Sequence, residues 1–566
     1  MKEKISLHKQ RIIVAICVAL MVINTQIQQT GAWDDFLVCS SYHVTEILLS
    51  IIILSHYSLQ DLRSNSRVLL VYSIIGAAVG IGYLIYRLPN EYLFRIPSVL
   101  CMVFGLFMTG FCLVHTGLLY VCKKKNLNIN KPGFIIWVIL AFFMMISAGS
   151  YNLFAIRFMI CLLAFYLTPR TSGQRTEVFV GALDGLIIGY VYEMAFCFLF
   201  RPYDSLRYLG NFSNPNHNCC FLCFILAAVF GRLFYAEKNK EKIIIRMILF
   251  SVMGMVLSCI YMTASRSGFI TLLVIGILYL ILYKSILHRN AVKRFFIVML
   301  IFVVGLPITY AAIRYLPLTN PYVKFYYFDN HNFHTVHKEN KTDPANYVTF
   351  GEMLSTPLMR FNVLIPSADE NDDVADTAVL LPQNESCIVR GALSASAGTF
   401  VRSIDSSVVS VLLTDSGIGN TYDMEPLLTD EEGQNALLVR KTIYLWYIRH
   451  LTLRGVPTEE QGFQLNSEHW IQDTHDIFLA YGMDYGIPAM ITFIVLLGYS
   501  VFYCFKNALR KSDVICAAAV LLILVAPLFG LFEYAWGYGS ISMNILYFSI
   551  VEAIVRNSSS EMKKSV

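Results

Sequence analysis

Residues 243–284 read IIIRMILFSVMGMVLSCIYMTASRSGFITLLVIGILYLILYK. Two apolar runs, 243–263 and 267–284, flank a short polar hairpin. Each run is about long enough to cross a hydrocarbon core of roughly 30 Å at about 1.5 Å per residue. Strands of a membrane barrel would be about half that length and would alternate in polarity. In lipid a helix satisfies its own backbone, so these runs read as transmembrane helices. Outward from this pair, runs of the same kind recur at 12–28, 38–58, 68–86, 97–121, 133–149, 152–169, 177–200, 217–236, 295–313, 475–505, 513–532 and 538–555. The expectation is an all-α polytopic membrane protein with about fourteen transmembrane helices. With 56% apolar residues, 15% charged residues and a mean hydropathy of +0.57, the composition is too apolar for a water-soluble multidomain chain.

Positive charge is held back on the cytoplasmic side of a membrane, so Lys and Arg orient the chain. With the amino terminus inside, they crowd the inside segments. The short outside loops carry only Arg87, Arg95, Arg201, Arg207 and Arg266. Both termini are therefore placed in the cytoplasm of a multi-pass protein of the cell membrane. The first span follows Lys2, Lys4, Lys9 and Arg11 and lacks a convincing small-residue cleavage site, so it reads as retained. The net charge of +5 mostly reflects topology anchors, and Lys123-Lys124-Lys125 suits anionic lipid head groups without invoking nucleic acid. Of fourteen Cys, nearly all lie within spans and only Cys387 falls clearly in a large loop, and no disulfide framework or CxxC metal pattern appears.

The chain thus divides into membrane helices over 1–313, a long excursion over 314–473, and membrane helices with a tail over 474–566. In the excursion acidic residues outnumber basic ones by 21 to 11, and no segment can span, so it reads as a large extracytoplasmic loop in water. The acidic run Asp369-Glu370-Asn371-Asp372-Asp373 lacks calcium-loop spacing, and His331, His334 and His337 lack Cys partners. Both read as solvated surface, and no metal site is expected. Near the loop's end, helical spacing places Leu437, Tyr444, Tyr447, Ile448 and Leu451 on one face with Arg440, before Gly455 and Pro457 stop the helix. Arg440 then either meets an anionic partner or snorkels from an interfacial helix.

Three short pieces carry the functional signal, all on the outside. One is the loop from Arg201 to His217, where Gly210 and Pro215 tighten the backbone and Arg207, Asn214, Asn216 and His217 sit at the mouth of a span. The second is the hairpin Thr263-Ala264-Ser265-Arg266-Ser267-Gly268. The third is Thr474-His475-Asp476, followed by Gly482 and Gly486. Arg and His at span ends are also ordinary head-group anchors.

Together these pieces resemble the O-antigen ligase and O-antigen polymerase superfamily, whose members join or extend saccharides carried on a polyprenyl diphosphate. The resemblance runs through Arg207-Tyr208-Leu209-Gly210-Asn211-Phe212-Ser213-Asn214-Pro215-Asn216, Ser265-Arg266-Ser267-Gly268, Arg440 ahead of Trp446 and Gly455, and His475. It spans roughly residues 200–500 in family order, and the large loop before the last spans matches the family layout. Asp476 stands where the family usually has an amide, and residues 320–430 show no resemblance. The resemblance implies a membrane glycosyltransferase of the GT-C type. It would transfer or polymerise saccharide from a lipid-linked donor onto a saccharide or glycolipid acceptor at the outer face, for O-antigen, capsule or exopolysaccharide.

The chemistry of such a donor suits these residues. Departure of a polyprenyl diphosphate builds negative charge, and guanidinium forks match phosphate oxygens, so Arg207, Arg266 and Arg440 form the expected diphosphate clamp. His475 is the expected catalytic base for the acceptor hydroxyl, oriented by Asp476 or Asp473. Asn214, Asn216 and Ser265 support the clamp. No cofactor is expected, and the chain has neither a Walker-type loop nor a dinucleotide fingerprint. Expected partners are the lipid-linked saccharide donor, the acceptor, membrane lipid and a chain-length regulator. Ligase and polymerase stay open, as does a transporter or flippase for the same lipid-linked sugars, for which Arg157, Asp184, Glu193 and Glu533 are the intramembrane charges to weigh. These charges could equally be polar pairs stapling helices together. A non-catalytic receptor is the remaining class.

The topology is tested by cysteine labelling: Ser367→Cys should react with a membrane-impermeant maleimide on intact cells and Ser565→Cys only after permeabilisation. Reaction of Ser367→Cys solely from the cytoplasm would overturn the placement of every motif above.

Overall fold

A computed structural model describes residues 2–29, 41–57, 59–90, 96–123, 130–148, 152–168, 172–201, 203, 206–212, 214–319, 347–362, 435–457, 460–464, 470–471, 474–533 and 543–552. Asp473, the acidic run 369–373 and His331, His334 and His337 lie outside these residues. The helices are α1 Lys2–Gln29, α2 Ser41–Leu54, α3 Leu59–Ser64, α4 Ser66–Arg87, α5 Ile96–Lys123, α6 Lys131–Met145, α7 Asn152–Leu167, α8 Ser172–Phe200, α9 Pro215–Lys238, α10 Ile243–Thr263, α11 Arg266–Leu287 and α12 Ala291–Tyr315. They continue as α13 Phe350–Asn362, α14 Asn435–His450, α15 Ile477–Tyr485, α16 Ile487–Lys511, α17 Val514–Gly530 and α18 Met543–Glu552. A two-residue antiparallel ladder, Phe463–Gln464 with Trp470–Ile471, is the extended pairing among the described residues. Nine of the described helices are long and apolar enough to cross a membrane, and five shorter apolar helices accompany them. The protein is a polytopic membrane protein, and each apolar run read from the sequence carries one of these helices.

α9 is almost wholly buried and forms the centre, packed on α8, α10, α11 and α17. Lipid tails are as apolar as Leu, so close packing between membrane helices relies on small residues that let backbones approach. α8 supplies such a ridge. Gly181, Gly185 and Gly189, spaced by four, face α1, and a Cβ on Gly185 would lie 2.6 Å from the carbonyl oxygen of Ala15. Gly231 of α9 packs so tightly on α17 that its Cβ would come within 2.4 Å of the Ala518 Cβ.

Several charges inside the bundle pair across helices, as low dielectric favours. Asp184 of α8 joins Arg11 of α1 and Arg232 of α9, each at 2.6 Å, and Arg232 also meets Glu241 at 2.7 Å. Glu237 joins Arg289 at 2.7 Å and Arg294 at 3.1 Å, while Arg157 of α7 meets Glu46 of α2 at 2.6 Å. Arg157 and Asp184 therefore sit in helix-to-helix pairs. Glu193 lies beneath the turn before α9, bonded to the backbone of Asn211. The eleven described cysteines form no disulfide.

Three expectations need correction. The run 475–505 is not one helix, because the chain breaks at Gly486, whose φ of +89° is open to glycine. A Cβ there would strike the carbonyl oxygen of Leu453 at 2.3 Å, and one on Gly455, at φ +82°, would strike that of Asp484 at 2.5 Å. The two loops touch backbone to backbone through Val456 N–H to Met483 O, 2.6 Å, and Ile487 N–H to Thr452 O, 2.9 Å, which latches α14 to α15. The inward face of α14 differs from the expected one at one position: Tyr447 is buried against Met483 with Tyr444 and Leu451 packed beside it, as expected, but Ile443 is buried in place of Ile448, which is exposed. Finally, part of the excursion is not free in water, since residues 347–362 dock on α10 and α12 through Tyr261 and Tyr310.

The glycine ridge yields a direct expectation. Gly185→Val should lower the thermal midpoint in detergent, with an overpacking cost of about 1–3 kcal/mol. Gly82→Ala, with nothing within 4 Å of its added carbon, should leave it unchanged or raise it. Equal midpoints for Gly185→Val and wild type would mean that α1 and α8 do not meet through this ridge.

Candidate functional site

The site forms where α8 ends and where α9, α11 and α15 begin. Asn214 caps α9, its side chain accepting the N–H of Asn216 at 2.8 Å. That cap aims the Asn216 side chain outward, where its Oδ1 accepts from Arg207. Arg207 also donates through Nε to the carbonyl oxygen of Thr263, 3.0 Å, and Tyr208 N–H bonds Met262 O at 2.9 Å, which ties the loop to the end of α10. Gly210, at φ +57°, makes the intervening turn over Asn218 and Glu193.

The hairpin that carries Arg266 is tightly determined. Ala264 adopts the left-handed conformation at φ +48°, which costs a non-glycine residue roughly 1–2 kcal/mol and persists here because both neighbouring helices fix it. Ser265 then caps α11, its Oγ accepting the Gly268 N–H at 3.3 Å, and Arg266 is the first helical residue. Gly268 lets the start of α11 press on α9, because a Cβ there would overlap the sulfur of Cys219 at 2.1 Å.

Arg440 arrives from α14 and Glu533 from the end of α17. Arg440 Nη2 donates to Glu533 Oε1 at 2.9 Å, and His475 Nδ1 lies 3.8 Å from Glu533 Oε2. One carboxylate thus faces both. Tyr444, one turn beyond Arg440, shares its hydroxyl proton between the carbonyl oxygens of His475, 3.3 Å, and Leu531, 3.2 Å. His475 itself sits at φ +50°, a strained placement held by that tyrosine and by the Thr474 hydroxyl bonding Asp476 O at 2.8 Å. Arg266 lies within electrostatic reach of both Arg440 and Glu533, and His217 acts on Glu533 from α9.

Burial pushes the Glu533 carboxyl upward, but His475, Arg440 and His217 outweigh it and hold it below the usual carboxylate range. Asp476 is pushed upward by burial against its helix-capping bonds. Those bonds, from Phe478 N–H and Leu479 N–H at 2.8 Å each to one carboxylate oxygen, make Asp476 the cap of α15. The carboxylate facing His475 is therefore Glu533. Sequence reasoning weighed Glu533 only as an intramembrane charge, because nothing in its spacing links it to a histidine 58 positions earlier. The left-over signal was an acidic residue just past an apolar run, where a lipid-facing side chain would not be charged. Tyr444 was placed on the right face without a role.

Arg207, Arg266, Arg440 and His475, with Asn214, Asn216 and Ser265 as props, are thus gathered at one end of the bundle. Comparison with protein-family models, curated proteins and solved structures gives no match.

Because the folded-state pKa of Glu533 is depressed, its ionised form contributes stability that is complete above the free-carboxyl value of about 4.3 and is lost as pH falls through the lower folded value. Glu533→Gln should cost roughly 1.5–3 kcal/mol near neutral pH, the worth of a hydrogen bond to a charged group. Melting curves of the two proteins should converge at strongly acid pH. A gap that persists undiminished there would show that the ionised carboxylate is not the stabilising species.

Proposed function

We propose that the protein is a membrane glycosyltransferase of the O-antigen ligase or polymerase type. It moves saccharide from a polyprenyl-diphosphate-linked donor to a hydroxyl of an acceptor saccharide at the outer membrane face. The observation that carries this reading is one carboxylate, Glu533, bonded to Arg440 at 2.9 Å and facing His475 at 3.8 Å, with a second guanidinium, Arg266, within electrostatic reach of both Glu533 and Arg440. Like charges in a low-dielectric setting repel, and an incoming anion relieves that repulsion. A diphosphate on a lipid anchor has the right charge, the right fork-matching oxygens and the right depth.

In this reading the five shorter apolar helices cross the bilayer with the nine longer ones. The chain then spans fourteen times, with the excursion outside and both termini in the cytoplasm. Arg266 and Arg440 hold the diphosphate, and Arg207, fastened to Thr263 and Asn216, braces the hairpin and adds charge. The acceptor oxygen attacks the anomeric carbon of the donor, and the bond from that carbon to the diphosphate oxygen breaks with its electron pair. The guanidinium groups stabilise the charge that develops on the departing diphosphate. His475 takes the acceptor proton. The Nδ1 edge of His475 faces Glu533, which leaves Nε2 to take that proton and places a carboxylate beside the imidazolium that results.

The test uses purified, folded variants matched by size-exclusion profile, with donor binding and glycosyl transfer measured separately. His475→Ala should lower turnover by about 10²–10⁴ with donor affinity nearly intact. Arg266→Ala should weaken binding and turnover together, and Arg266→Lys should recover only part because the bidentate fork is lost. Transfer should survive EDTA, since the arginines provide the positive charge. Wild-type turnover in His475→Ala, unchanged affinity in Arg266→Ala, magnesium-restored activity after chelation, or vectorial movement of the lipid-linked sugar without bond formation would each contradict this mechanism.

A further inference from the structure

α13 begins with a complete capping box. Thr349 N–H and its hydroxyl both donate to Glu352 Oε2, at 2.7 and 2.8 Å, and Glu352 N–H returns to Thr349 Oγ1 at 3.3 Å. Val348 before the cap and Met353 after it are both buried in the main apolar core, so the helix is also stapled at its start. Its entry is pinned to the site loop: Val348 N–H donates to Tyr203 O at 3.0 Å, and Tyr310 donates to Val348 O at 2.8 Å. Farther along, Tyr261 of α10 donates to Leu354 O at 2.9 Å, and Phe361 packs on Phe269 of α11 with ring centres 5.3 Å apart. Phe269 lies one turn from Arg266.

About 100° per residue divides α13 into three faces. Met353, Thr356 and Pro357 turn into the protein. Gly351, Glu352 and Ser355 form a polar side over the first turns, and Met359, 60% exposed, follows on that side near the helix end. Between these faces lies an apolar stripe of Phe350, Leu354 and Leu358, which is 42%, 36% and 65% exposed. α13 touches α11 through Phe361 on Phe269 and α12 through Phe350 on Tyr310, and both of those helices also carry exposed apolar residues, Ile270 and Leu273 on α11 and Val304 and Ile308 on α12.

We propose that α13 is a membrane-surface helix, with Phe350, Leu354 and Leu358 seated among the outer-leaflet lipids beside the Arg266 hairpin and its polar side in water. A helix with separate apolar and polar sides lies in the interfacial plane with the apolar side buried about 5–10 Å. Three protein-facing bonds fix its rotation, so the bilayer contacts a defined stripe. Because Val348 is bonded to Tyr203 in the loop that carries Arg207, seating of this helix holds the loop at the membrane surface.

The test places p-benzoylphenylalanine, one position at a time, at Leu354, Leu358 and Ser355, and at Leu273 as a bilayer reference. Full-length protein in phospholipid nanodiscs is irradiated and intact masses are read. Lipid adducts are expected at Leu273, Leu354 and Leu358, with at least a several-fold weaker signal at Ser355. Size-exclusion profiles and the Leu273 adduct establish that each sample is folded and in lipid. Absence of adducts at both Leu354 and Leu358, or equal labelling at Ser355, would overturn the membrane seating, and neither result bears on glycosyl transfer.

Discussion

Exclusion of water from the bilayer is the constraint on which the rest of this structure depends. Every charge carried into the bundle must find a partner there, and every backbone must approach its neighbours closely enough to replace lipid contacts. The Asp184 pairs with Arg11 and Arg232 meet the first demand, and the Gly181, Gly185 and Gly189 ridge meets the second. At the opposite end Arg440 meets the same demand through Glu533 at 2.9 Å, while Arg266 lies within electrostatic reach of both that carboxylate and Arg440.

The arrangement has a mechanical logic. Arg266 is held by a hairpin in which Ala264, Ser265 and Gly268 leave no slack. Arg440 is on α14, which is not part of the packed bundle, and its position rests on the latch between Gly455 and Gly486 and on the Tyr444 bonds to His475 and Leu531. One half of the site therefore belongs to the membrane bundle and the other to the end of the long 314–473 segment. The Arg440–Glu533 bond and the facing His475 join them.

The sequence made the helices legible because their signal, length of apolar run, is imposed by bilayer thickness alone. It also marked Arg207, Arg266 and His475, which stand beside residues with unusual backbone demands. What it hid depends on distance along the chain. Glu533 meets His475 across α15, α16 and α17, and the burial of Ile443 in place of Ile448 on α14 depends on Met483 from α15. Asp476 misled for the opposite reason: adjacency to His475 suggested a partner, whereas a carboxylate at that position is better used by the bare amides of α15. The capping box of α13 was readable as Thr349 to Glu352, but its 13 residues are too short to span and so were assigned to water with the rest of the excursion.

The most direct measurement of the central claim is an electron cryomicroscopy structure of the protein in nanodiscs with a polyprenyl diphosphate bound. The account predicts phosphate oxygens at roughly 2.7–2.9 Å from the guanidinium groups of Arg266 and Arg440, the range for charge-assisted bonds. It also predicts that Glu533 stays against His475 and that the His475 Nε2 opens toward the sugar side. A diphosphate lodged at the opposite end among Arg11 and Arg232, or one that leaves Arg266 and Arg440 without phosphate contact, would contradict it.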